Sequence, residues 1–244
     1  MFGRKFLIFI FFSTFLFGQK NVENQQLLWY GYYNKLQINQ NWVLKSEVQE
    51  RHFYQPLVQH QLVFRTNLDR RILDDINVSL GFVVFLQSPN DPESESTLMV
   101  PELRTDFGFN AKKKYKYFNV NQRFKVEARF FHQTENNELV GGYQFSNFRM
   151  RYQLGLDIPL IKKQDAEKLI LKIKDEVMFN FGKNIVKNVF DQNRMYIGLN
   201  YPMNKNLAFE AGYLNWFQQR PSGTDFYNRD IIRFSVFHTI NLKK

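Results

Sequence analysis

From Trp42 to Arg51 the chain alternates: Trp42, Leu44 and Val48 fall on one face, Lys45, Glu47, Gln49 and Arg51 on the other. Side chains repeating every second residue mark a β-strand, because successive Cβ atoms of an extended backbone point to opposite sides. The pattern returns at 58–69, 76–86, 102–109 and 118–130, and is cleanest at 147–158. There Phe148, Met150, Tyr152, Leu154, Leu156 and Ile158 oppose Asn147, Arg149, Arg151, Gln153, Gly155 and Asp157. Segments 169–181, 190–201, 206–220 and 228–242 follow, and an N-terminal segment around Leu27–Ile38 brings the count to about eleven. The polar faces carry acids and bases of mixed sign.

Alternation alone fits a two-sheet sandwich as well as a barrel. Length separates them, since these segments run to roughly 10–16 residues, against about 5–6 for an ordinary strand and about 9–11 for a tilted strand crossing a bilayer. The expectation is an all-β fold: a single antiparallel up-and-down transmembrane β-barrel of about 10–12 strands. Bacterial single-chain barrels have an even number of strands, so the N-terminal segment is expected either to split or to stay outside the wall. Short turns at 39–41, 74–75, 112–116 and 202–206 interleave with longer polar stretches at 87–98, 133–142, 182–189 and 219–227. That asymmetry suits periplasmic turns and outer loops, with the C-terminus in the periplasm. The Lys-rich connection 159–168 is too long for a periplasmic turn and stands as an exception.

Residues 1–18 open with Arg4 and Lys5, run through Phe6–Phe12 and Phe15–Phe17, and end at Gly18. A basic start, a short apolar stretch and a small residue predict a signal peptide, too short for a membrane helix of about 20 residues. Cleavage is expected between Gly18 and Gln19, leaving residues 19–244 as one outer-membrane β-barrel domain.

Composition narrows the chemistry. Phe and Tyr number 27 and 12, aromatics make up 17% of the chain, and there is no cysteine. The last point removes disulfides, thiolate metal sites, a Cys nucleophile and a lipoprotein anchor together. Aromatics near segment ends predict interfacial girdles: Trp29, Tyr30, Tyr32, Tyr33, Trp42, Phe53 and Tyr54 early on, and Tyr196, Tyr201, Tyr213, Trp216, Phe217, Phe226 and Tyr227 late. The net charge of +10 is spread along the chain rather than gathered in one stripe, so no nucleic-acid partner is expected.

The run Asp191-Gln192-Asn193-Arg194-Met195-Tyr196-Ile197-Gly198-Leu199, followed by Leu207–Asn215, Phe217-Gln218-Gln219-Arg220 and the earlier Glu47-Val48-Gln49-Glu50-Arg51, resembles the domain of unknown function 2490 family. The resemblance covers nearly all of the chain after the signal peptide. It implies a secreted bacterial outer-membrane barrel and transfers no catalytic residue.

His52, His60, His132 and His238 are widely spaced, and neither a metal motif nor a nucleophile elbow is present. No metal, cofactor or catalytic residue is assigned. The distinctive feature is the inward polar set Glu47, Arg51, Arg65, Arg104, Asp106, Arg123, Glu127, Arg149, Arg151 and Arg194, expected to line the lumen. As a structural ladder it fills the interior; as a functional one it binds or passes a small anion. The expected address is the outer membrane of a Gram-negative bacterium, with its lipid, its lipopolysaccharide and its assembly machinery as partners. Two rivals are a lipid- or lipopolysaccharide-modifying hydrolase at the rim, using His132 and Ser146, and a soluble periplasmic ligand-binding sandwich.

Overall fold

The computed structural model describes residues 20–164 and 166–242, so the expected signal peptide and Asp165 lie outside the described residues. Every regular element described is a strand: β1 (Asn21–Gln37), β2 (Trp42–Phe53), β3 (Gln59–Leu73), β4 (Ile76–Gln87), β5 (Val100–Lys114), β6 (Asn119–Glu135), β7 (Glu138–Lys163), β8 (Ala166–Phe181), β9 (Phe190–Pro202), β10 (Leu207–Gln219) and β11 (Asp225–Asn241). Each strand pairs with its sequence neighbours, and the eleven close into one barrel, not a two-sheet sandwich.

The closure corrects the expectation of an even, wholly antiparallel ring. The N-terminal segment is neither split nor outside: β1 pairs with β2 antiparallel and with β11 parallel, from Asn21 opposite Asp225 to Gln37 opposite Asn241. An odd number of up-and-down strands leaves the first and last running the same way, so they can close only in parallel. The start of β1 therefore lies at one end of the barrel and the end of β11 at the other.

One end carries the connections 38–41, 74–75, 115–118, 203–206 and the one between β7 and β8; the opposite, long-loop end carries 54–58, 88–99, 136–137, 182–189 and 220–224. Two expectations about loops change. The stretch 133–142 is not a loop, because β6 and β7 run on as a hairpin whose turn residues Asn136 and Asn137 have φ of 49° and 61°. Positive φ at both central positions is the two-residue turn that matches strand twist, and Asn tolerates it. The long connection 159–168 shortens likewise, since β7 and β8 extend until Lys163 pairs with Ala166.

Facing the interior, Gly198 of β9 and Gly212 of β10 stand opposite each other. A Cβ on Gly212 would meet Gly198 Cα at 2.6 Å and the Tyr196 hydroxyl at 2.7 Å. The absent side chains make room for the Tyr196 ring, whose hydroxyl donates to Glu210 Oε1 at 2.9 Å.

Burial is inverted relative to a water-soluble protein. Glu127 and Arg229 are 0% exposed, whereas Leu80 on the outer face is 64% exposed, and large apolar residues stand exposed on every strand except β6, whose outward Phe124 and Phe130 are half-buried. Near the long-loop end the exterior turns polar: Asn215 donates to Asn228 at 2.8 Å and Asn228 to Asn24 at 2.9 Å, across β10, β11 and β1.

Candidate functional site

The alternation that makes each strand two-faced sends one set of side chains into the lumen, and all ten candidates from the sequence face inward there. They fall into three arrangements. Glu102 of β5 accepts from Arg104 at 2.7 Å and from Arg129 at 2.5 Å. Arg104 lies 3.6 Å from Glu127, Glu127 pairs with Arg151 at 2.6 Å, Arg151 with Glu176 at 2.9 Å, and Glu176 with Arg123 at 2.8 Å. Seven charges thus alternate in one chain across β5, β6, β7 and β8, each carboxylate touching at least two guanidiniums. A lone buried charge is costly, and alternation with short bonds is how such groups are tolerated.

The second arrangement is isolated pairs: Asp106 with Lys125 at 2.6 Å, Arg149 with Asp191 at 3.0 Å, and Glu47 with Arg65. The third is the one sequence reasoning did not foresee. Arg51 and Arg194 have no carboxylate partner among the described residues, and neither do Arg229 and Arg233. Their polar contacts are neutral: Arg51 donates to Gln49 at 2.7 Å, Arg194 to Gln192 at 2.9 Å, Arg229 to Gln25 at 2.7 Å and Gln218 at 2.6 Å, and Arg233 to the Tyr33 hydroxyl at 2.6 Å.

These four gather on an aromatic wall. The guanidiniums of Arg51, Arg233 and Arg194 lie 3.7, 5.1 and 5.7 Å from the centre of the Trp29 indole. Arg194 and Arg229 lie 4.4 and 4.5 Å from the Trp216 ring. Trp29, Phe53, Tyr196, Leu214, Trp216, Leu27 and Ile231 form one buried cluster on β1, β2, β9, β10 and β11. The lumen is therefore split: a charge-paired wall on β5–β8 faces an aromatic wall bearing unpaired cations. Trp29, Tyr33, Phe53, Tyr196, Trp216 and Tyr227 thus leave the girdle to which their places near strand ends had assigned them. Parity reveals it, since Trp29 shares the face of Gln25 and Leu27, opposite to Tyr30 and Tyr32.

Space in the lumen tapers from the long-loop end. A vestibule of about 890 Å³ is bounded by loop residues such as Asn184, Asn188 and Arg220, and by Arg104, Arg149, Arg194 and Trp216 below. Arg194 also borders an inner chamber of about 230 Å³, lined by seven cations (Arg51, Arg65, Arg123, Arg151, Lys174, Arg194 and Arg233) and by two carboxylates, Glu47 and Glu176. Glu47, Arg65 and Arg123 in turn border a cavity of about 90 Å³ that reaches Lys45, towards the other end. Loop 88–99 is tied into the lumen, with Asn90 accepting from Gln25 at 2.9 Å and from Arg229 at 3.1 Å.

His132 and Ser146 are not brought together. His132 stands opposite Tyr143 and packs edge-on against its ring, 5.0 Å between centroids. Ser146 sits in the bulge beside Asn147, its carbonyl accepting from Asn184 at 3.0 Å. Among the described residues no group of three or more His, Asp or Glu could hold a metal ion.

Fold and interior together define a closed eleven-stranded β-barrel with a charged, partly aromatic lumen. A family model described as "Protein of unknown function (DUF2490)" matches residues 26–228, and the chain belongs to that family. Searches of curated proteins and of solved structures give no significant match.

Proposed function

We propose that this chain is an integral β-barrel of a Gram-negative outer membrane that takes a small solute into its lumen from the long-loop end, and that it is not an open pore. The inverted burial carries the membrane reading. An exterior of exposed Phe, Leu, Ile, Val and Tyr on ten of the eleven strands would drive association in water, whereas acyl chains accept it, and a closed ring leaves no backbone edge unpaired in lipid. Outward apolar residues of β7 run from Phe148 to Leu160; at a rise of ~3.3 Å per residue and a tilt of ~40° that is roughly 30 Å of height, enough for the apolar band.

The short-turn end suits the periplasm and the long-loop end the cell surface. Export through the segment 1–18, insertion by the outer-membrane assembly machinery, and contact with phospholipid and lipopolysaccharide belong to the same reading. The solute reading rests on the taper. Below the vestibule the Arg129-to-Arg123 ion-pair chain and the Trp29 and Trp216 wall crowd the lumen, which favours a binding chamber over free conduction.

Two measurements test the proposal. Detergent-extracted protein should migrate faster on a gel before heating than after; protein recovered in wash buffer without detergent contradicts the membrane reading. In planar bilayers the purified barrel should show no long-lived, porin-like conductance, and steady large open-channel steps would contradict the closed-chamber reading.

A further inference from the structure

The Trp29 cluster holds more positive charge than the protein answers. Arg51, Arg194 and Arg233 each stand within 5.7 Å of the centre of one indole, so no two of these guanidinium carbons are more than about 11 Å apart, and none has a carboxylate partner among the described residues. All three border the inner chamber of about 230 Å³, together with Lys174, whose nearest carboxylate, Glu210, is 3.6 Å away. Buried hydrogen-bond donors are left over in the same place: Trp29 Nε1, Arg51 Nε, Arg233 Nε and, at the neighbouring ring, Trp216 Nε1 have no acceptor. Native interiors rarely leave such groups unsatisfied, and several in one cluster call for a missing acceptor. On the opposite wall the same fold pairs every guanidinium with a carboxylate, so the omission is local.

We infer that the inner chamber is a site for an organic oxyanion, a carboxylate or phosphate monoester carried on a small flat apolar body. The guanidiniums of Arg51, Arg194 and Arg233 take the anionic head, and Trp29, Tyr196 and Leu214 take the body. Guanidinium forks match carboxylate and phosphate geometry, and aromatic walls with a few placed polar groups are the usual make-up of small-molecule sites. A flat body also fits the volume, which is too small for a lipid or an oligosaccharide. Arg194 borders both the vestibule and the chamber, and lies on the route by which the anion enters. The inference rests on the closed-chamber reading above and specifies its ligand.

The test uses the barrel purified from membranes in detergent, first shown to have heat-modifiable mobility so that the fold is secured separately. Benzoate, phenyl phosphate and, as the neutral control, benzyl alcohol are titrated by calorimetry, with tryptophan fluorescence as a second readout, since two of the three tryptophans face the lumen. The expected result is saturable binding of at least one aryl anion, at least tenfold weaker or absent for benzyl alcohol. Arg194→Gln should weaken it at least tenfold while keeping heat-modifiable mobility and an equal or higher melting temperature, because crowded like charge has been relieved. The anion should raise the melting temperature of the wild type and not of the variant, and Lys205→Gln on a distant turn should change nothing. No saturable binding of either anion to a heat-modifiable barrel overturns the inference and leaves the membrane reading intact. Equal binding of benzyl alcohol, or binding untouched by Arg194→Gln, overturns it as well. Loss of heat-modifiable mobility in the wild type overturns both.

Discussion

Tyr30 of β1 and Phe234 of β11 stack on the outer wall with ring centres 6.0 Å apart and planes 15° from parallel, because the first and last strands pair in parallel register. A ten-stranded ring that excluded β1 would separate them. Neighbouring strands lie about 4.8 Å apart, within the Cα range of about 4.4–6.8 Å that a disulfide spans, and the chain has no other cysteine. The double variant Tyr30→Cys/Phe234→Cys should therefore form an intramolecular cross-link on mild oxidation, seen as a mobility shift of heated, non-reduced protein that reductant abolishes. Absence of that cross-link in folded protein would contradict the parallel closure.

Glu127 is the central carboxylate of the ion-pair chain, held between Arg151 at 2.6 Å and Arg104 at 3.6 Å. Glu127→Ala leaves Arg104 and Arg151 facing each other with no carboxylate between them, each holding only its remaining partner, Glu102 or Glu176, and is expected to lower unfolding free energy by about 3 kcal/mol. The double replacement Glu127→Leu/Arg151→Met removes both signs and should recover most of that loss. Urea unfolding in detergent, followed by the return of slow gel mobility, measures both.

The Gly198–Gly212 pair leaves the Tyr196 ring its place. Gly212→Ala is expected to cost about 1–3 kcal/mol, the usual penalty for overpacking, while Ala211→Val, one residue along and facing outward, stays within about 0.5 kcal/mol. Comparable losses at both positions would contradict the assignment of faces.

At the tip of the β6–β7 hairpin Asn137 has φ 61°. Asn137→Gly should raise stability by up to about 1 kcal/mol, and Asn137→Val should lower it, because a β-branched residue resists positive φ. Thermal unfolding in detergent distinguishes the two signs.

Strand positions were legible, and the strand count to within one, because period-two alternation is a local signal, and residues 147–158 announce two faces without help from any partner. The lumen charges were legible for the same reason: Arg149 and Arg151 share parity with Asn147. What stayed hidden was pairing. Nothing local to Asn21–Gln37 says that it meets β11 in parallel, and an even-strand expectation pointed elsewhere. The site was half visible. Glu102, Arg129 and Glu176, which complete the ion-pair chain, lie on the inward faces of their strands and could have been found by parity. That Arg51 and Arg194 lack carboxylates while Arg151 has two depends on which strands become neighbours across the barrel. Trp29 and Trp216 were drawn to the membrane surface by their size and their places near strand ends, although their parity already put them inside.

The central claim is that the greasy faces meet lipid. Single cysteines at outward positions around the wall, Leu80→Cys on β4, Phe107→Cys on β5, Leu154→Cys on β7 and Ile197→Cys on β9, can be labelled with an environment-sensitive fluorophore in reconstituted vesicles. A nitroxide on the lipid acyl chain should quench all four strongly, and should leave a label on Lys205→Cys, in the β9–β10 turn, quenched mainly by a headgroup nitroxide. Labels at the four wall positions that emit as if in water and escape acyl-chain quenching would contradict the membrane barrel.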